Sequence, residues 1–282
     1  MHDTSTLPDV VVDNISNFIK EKLNEQRNAG HIYNALIRED ILSLLGQFCV
    51  IVYYPTEDSN NGFHKAYTLK DKKIQIVYIN TNQAKEKQIF TAAHELGHVW
   101  GLDDYLREHV SEIELDDELT EKVMNRFAAE LMMPRAEFCT FFNLVLGKVP
   151  DTGKVEVFRL IMAVTDTMNE FFVPYKAVIY RLYELGVIKE AGLKHLLDDS
   201  EIILKIAEVY AKKQGYDRLF QPDKKRFIDG MTTRLIEAKK NSLLSESWID
   251  AFCRKLDISI DKEEPGLNGI VEVRKGDTNA DG

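Results

Sequence analysis

The chain has 282 residues, room for one large domain or two to three small ones. With 44% hydrophobic and 29% charged residues it has the composition of a globular protein, and its balance of 36 basic to 46 acidic residues argues against non-specific nucleic-acid binding. No apolar run approaches the roughly 18 residues that a membrane helix needs. The acidic, polar start carries no secretory pattern, so a cytoplasmic location is expected. Cys49, Cys139 and Cys253, odd in number and widely spaced, read as reduced thiols and not as a disulfide frame.

Residues 10 to about 45 read as helices, because Val11, Ile15, Phe18, Ile19 and Leu23 recur on one helical face. "FCVIVYYP" is an apolar strand stopped by Pro55, and "TEDSNNGF" is a turn-rich loop. "KIQIVYIN" alternates as a half-buried strand, which either offers its edge as a docking site for an extended peptide or lies inside the sheet. The next segment, "TNQAKEKQIFTAAHELGHVWG", is helical and stops at Gly101. Residues 102 to 120 are acid-rich and read as irregular, before a helix "LTEKVMNRFAAELMMP" that ends at Pro134. Beyond about 150 the text is helical: two stretches broken by "FFVP", then segments near 195–213, 223–240 and 243–256.

Within the helix, His94 and His98 stand four apart, so both imidazoles reach one point in space, with Glu95 beside that point. Two histidines on a metal ion and a neighbouring carboxylate supply what peptide hydrolysis requires. The ion lowers the pKa of a bound water and polarises the scissile carbonyl, while Glu95 takes the water's proton and passes it to the leaving amine. Ile89, Ala92, Ala93, Leu96 and Val99 make the flanks apolar, where unpartnered polar groups are costly. Gly97 in mid-helix costs roughly 1 kcal/mol against alanine, which suits close approach of another backbone such as a substrate strand. Two residues compete as third ligand. Asp104 completes H-E-x-x-H-x-x-G-x-x-D, a pattern that resembles the metzincin proteases, whose third ligand is normally histidine. Glu121, 23 residues after His98, shares a helix face with Asn125, which could hydrogen-bond a ligand histidine from behind.

"INTNQAKEKQIFTAAHELGHVW" followed by "EKVMNRFAAELMMP" resembles the ImmA/IrrE family of zinc metallopeptidases, with Phe127, Ala128, Glu130, Leu131 and Pro134 matching the family phrase F-A-x-E-L-x-x-P. The likeness covers about residues 48–190, including "FFVPYKAVIYRLYELGVI". It implies His94, His98 and Glu121 as ligands of one Zn2+, which makes Glu121 the preferred third ligand, and Glu95 as general base. It also implies an α+β, zincin-like core with a small mixed sheet and active-site helices, flanked by N-terminal helices and a helical C-terminal extension. Many relatives carry a second acidic residue two places before the Asn, where this chain has Val123. Relatives cut a protein substrate at one site, commonly a transcriptional repressor of a mobile element or stress response. The rival function is a metal-stabilised binding module with little turnover, and two imidazoles with a carboxylate also suit manganese or iron.

The expected organisation is an N-terminal helical region at 1–47, a metallopeptidase core at 48–148, a packed helical segment at 149–195, a helical extension at 196–260 and a disordered tail at 261–282. Phe127, Leu131 and Met132 belong to the core, and the acidic stretch 108–121 to a solvated loop. The "FFVPYKAVIYRL" segment resembles a helix-turn-helix, but residues 151–195 hold six basic and six acidic side chains, which argues against direct DNA binding. "DTNADG" at 277–282 opens like a calcium loop with no closing glutamate. His31, His64, His109 and His195 lack ligand spacing, and they or Tyr105 remain open as stabilisers of the oxyanion.

Overall fold

The computed structural model describes residues 7–256 except 33, 35, 58–60, 70, 71, 112, 151, 152 and 154, so the acidic motif at 277–282 and the expected tail lie outside the described residues. Two compact units divide the chain, residues 1–229 and residues 230–282.

In the first unit, helices α1 (Asp9–Asn28) and α2 (Asp40–Leu45) precede strand β1 (Val50–Tyr54). Strands β2 (Gly62–Leu69) and β3 (Lys72–Asn80) lead into α3 (Lys85–Trp100), α4 (Leu102–His109) and α5 (Asp117–Met132). Helices α6 (Arg135–Leu146), α7 (Val157–Phe171), α8 (Tyr175–Glu184), α9 (Glu190–Asp198) and α10 (Ser200–Gln214) follow, and β4 (Phe227–Ile228) closes the unit. No helix among the described residues is long and apolar enough to cross a membrane. The second unit contains α11 (Met231–Lys240) and α12 (Glu246–Leu256), joined by a small core of Leu235, Ile249 and Cys253.

The sheet has the order β2-β3-β1-β4. β1 runs parallel to β3, with Val50 opposite Ile76, whereas β2 and β4 are antiparallel to their neighbours. This small mixed sheet with helices around it is the α+β architecture expected of a zincin-like domain. One face turns Ile51, Tyr53, Val77 and Ile79 into the core, where α3 lies across β2 and β3 with Ile89, Ala92, Ala93 and Leu96 buried.

Three local findings decide or overturn an expectation. β3 has a strand on each side and offers no free edge; the edge strands are β2, which the turn-like text "NNGF" concealed, and the two-residue β4. Residues 102–109 are helical, because Leu102 and Leu106 bury one face while Asp103 and Asp104 sit favourably at the helix start. Residues 223–230 do not begin a helix; they carry β4.

α3 ends at Gly101, whose φ of 76° turns the chain left-handed. α5 begins at Asp116, whose side chain accepts a hydrogen bond of 2.7 Å from the Leu119 amide. The two helices cross at Gly97, where a Cβ would lie 2.7 Å from Met124 Sδ and 3.0 Å from Phe127 Cδ1. The missing side chain therefore admits α5 and not a substrate strand, contrary to the sequence expectation. Behind α5, Arg126 and Arg181 interleave with Glu130 and Glu184 at 2.7 to 3.3 Å, and Ser16 donates to Glu130 at 3.1 Å. This network ties α1, α5 and α8 together.

Candidate metal centre

α3 presents His94 and His98 one turn apart, and the crossing at Gly97 brings the second turn of α5, with Glu121, over them. His94 Nε2 lies 3.3 Å from Glu121 Oε2, and His98 Nε2 lies 3.9 Å from Glu121 Oε1. The ligand atoms of His94, His98 and Glu121 all fall within 4.8 Å of one another, so the three could hold a metal ion. On the far side of the ring, His94 Nδ1 and Asn125 Oδ1 are 3.1 Å apart. A proton on Nδ1, donated to that carbonyl oxygen, leaves the Nε2 lone pair directed at the cluster. With that tautomer the Nε2 lone pair and the Glu121 carboxylate are two acceptors facing each other, an arrangement satisfied by a shared metal ion or, without one, by a proton on Nε2.

The electrostatics express the same need. Burial works against a charge on His94, but the Glu121 hydrogen bond, Glu95 and Asn125 outweigh it and raise its pKa. His98 is pushed down to about 4, first by burial and then by the His94 charge. Glu121 is held below the ordinary carboxylate range, chiefly by its hydrogen bond to His94. Glu95, 4% exposed, is pushed up to about 7 by burial, with His94 opposing and Glu121 adding to the shift.

These groups line a cleft of about 430 Å³. Its walls include Asn61, Phe63 and His64 from the β2 side and Phe90 and Thr91 from α3. β2 approaches α3 closely: a Cβ on Gly62 would come within 2.5 Å of Tyr78 O and 2.6 Å of Thr91 Cγ2. The β2 contribution escaped the sequence reading, because "FHKAYTL" mixes apolar and polar side chains on both faces and shows no clean alternation.

The other candidates lie elsewhere. Asp104 is an exposed residue of α4 paired with Arg107 at 3.1 Å, outside the three-residue cluster. His31 bonds Gln26, His109 stacks on Tyr105, and His195 pairs with Asp199. Of the four isolated histidines, His64 alone lines the cleft.

Residues 49–183 match the family model Peptidase_M78, described as the IrrE N-terminal-like domain. No curated protein matches the chain. The matched span runs from the edge of β1 into α8 and contains the whole cleft. It brings with it a peptidase function of the metallopeptidase type, which implies a protein substrate. The IrrE N-terminal-like peptidase domain at residues 49–183 supports membership of the ImmA/IrrE family.

Proposed function

We propose that the protein is a zinc-dependent endopeptidase that cuts a regulatory protein at a specific site, the substrate being a transcriptional repressor of a mobile element or stress response. The observation that carries the chemistry is the convergence of His94 Nε2, His98 Nε2 and Glu121 within 4.8 Å, beside a buried Glu95. His94, His98 and Glu121 would hold the ion, and Asn125 would fix the tautomer of His94. When bound, the zinc would supply Lewis acidity toward the scissile carbonyl and the attacking water. Glu95 accepts the water's proton and delivers it to the leaving amine; a carboxylate that titrates near neutrality is suited to both halves of that transfer. The free edge of β2 holds the substrate as an added strand over α3.

The test compares protein termini in cells carrying the wild-type chain or Glu95→Gln, together with the zinc content of both purified proteins. We expect a small set of new termini that disappears in Glu95→Gln while each protein retains one zinc per chain. Identical termini in the two strains, with zinc bound, would instead favour a metal-stabilised binding module.

A further inference from the structure

The two imidazoles of the cluster are not oriented in the same way. His94 is held from behind by Asn125 at 3.1 Å. Among the described residues, no hydrogen bond reaches the second nitrogen of His98, whose polar contact is Glu121 at 3.9 Å. Rotation about the bond joining an imidazole to its Cβ has a broad profile, so a ligand ring without such a partner needs another restraint. That restraint is on β2. The ring of His64 lies parallel to that of His98, with centroids 6.1 Å apart and planes inclined by 16°. His64 is fixed in turn by a 3.1 Å contact between its Nε2 and Gln75 Oε1 on β3. The pairing of Lys65 with Ile76 sets His64 and Gln75 diagonally on one face of the ladder.

We propose that His64 is a positioning residue of the metal centre: its imidazole, pinned by Gln75, holds the ring plane of His98 so that Nε2 stays aimed at the space facing Glu121. The inference rests on the reading of His94, His98 and Glu121 as the metal ligands. His64 is not itself one of the group whose ligand atoms lie within 4.8 Å, so it acts through His98. The role belongs to the flat ring, whereas the hydrogen bond to Gln75 serves only to keep that ring in place.

The full chain is prepared as wild type, His64→Ala, His64→Phe and Gln75→Ala. Zinc affinity is measured by competition with a chromogenic chelator, and site geometry by the visible spectrum of the Co2+-loaded protein. His64→Ala should weaken zinc about tenfold and broaden the Co2+ bands, as loss of support behind a ligand does. His64→Phe keeps the ring but loses its bond to Gln75, so it should weaken zinc less than His64→Ala does. Gln75→Ala loses the same bond and should fall between wild type and His64→Ala, and it carries the test if His64→Ala fails to fold. Wild-type affinity in both His64→Ala and Gln75→Ala, or equal weakening by His64→Phe and His64→Ala, overturns the proposal. Zinc binding that survives Glu121→Ala and His94→Ala unchanged overturns the ligand reading instead, whatever the His64 variants do.

Discussion

Glu95 is nearly enclosed, and the charge of His94 offsets only part of the cost of ionising it there. A carboxylate whose folded pKa exceeds its unfolded value destabilises the fold as pH rises from the unfolded pKa through the folded one. Here that window runs from 4.5 to about 7 and corresponds to about 3 kcal/mol. Metal-free Glu95→Gln should therefore be more stable than the metal-free wild type at pH 8, by up to about that amount, with a much smaller difference at pH 5. Urea denaturation of the two stripped proteins at both pH values measures it; an equal difference at both would deny the buried charge. The spacing of His94, Glu95 and His98 was legible because helical periodicity is a local property. Asn125 could be read from its distance to Glu121 along the same helix. The purpose of Gly97 could not, since what approaches it is Met124 and Phe127 on another helix. His64 stayed hidden because its partners, His98 and Gln75, are brought to it by strand pairing.

At the scale of elements, the relation between α3 and α5 decides whether Glu121 reaches the histidines. Gly97→Ala recovers about 1 kcal/mol of helix propensity but forces a methyl into two fully buried side chains. We expect a net loss of about 1–2 kcal/mol in denaturation and a weaker zinc affinity as α5 shifts. Affinity equal to wild type would mean that α5 is not positioned by this crossing. The charged network behind α5 makes a second prediction. Arg181 is wholly buried, and Arg181→Met leaves Glu130 and Glu184 to share Arg126 alone. The loss should be about 3–5 kcal/mol by chemical denaturation, and a change below 1 kcal/mol would show the network to be dispensable. The break at "FFVP" was legible because the residue before a proline avoids the helical region. Helix α4 was misread because an acid-rich composition masked the spacing of Leu102 and Leu106. The alternation of β3 was legible, whereas its place inside the sheet was not, because strand order is a long-range property.

For the molecule as a whole, the stretch after α10 returns to the peptidase core. Phe220 N–H donates to Glu86 at 3.1 Å, Lys85 pairs with Asp223 at 2.5 Å, and Gln88 donates to Asp223 at 3.2 Å. The Thr81 hydroxyl donates to Lys225 O at 2.7 Å, and β4 then adds to β1 with Val52 opposite Ile228. Phe220 and Lys224 adopt left-handed backbone at φ of 63° and 49°, each at a cost of about 1 kcal/mol that these contacts must offset. The compact unit continues to Asp229. A chain ending at 229 should keep the zinc affinity and thermal midpoint of the peptidase unit, whereas one ending at 195 should lose both. Equal behaviour of the two truncations by melting and metal content would refute this. The charged text "PDKKRFID" gave no hint of a strand, because two residues of pairing leave no periodicity to read.

That late strand also sets an order of events during synthesis. A ribosome delivers the three strands β1 to β3 and both histidines early, yet the partner for Val52 and the clasp on Glu86 emerge only near the end of the first unit. Until then β1 presents a bare side to its surroundings, and the helix that bears Glu95 lacks its anchor. The first unit is therefore completed only once the residues from Phe220 to Ile228 have emerged.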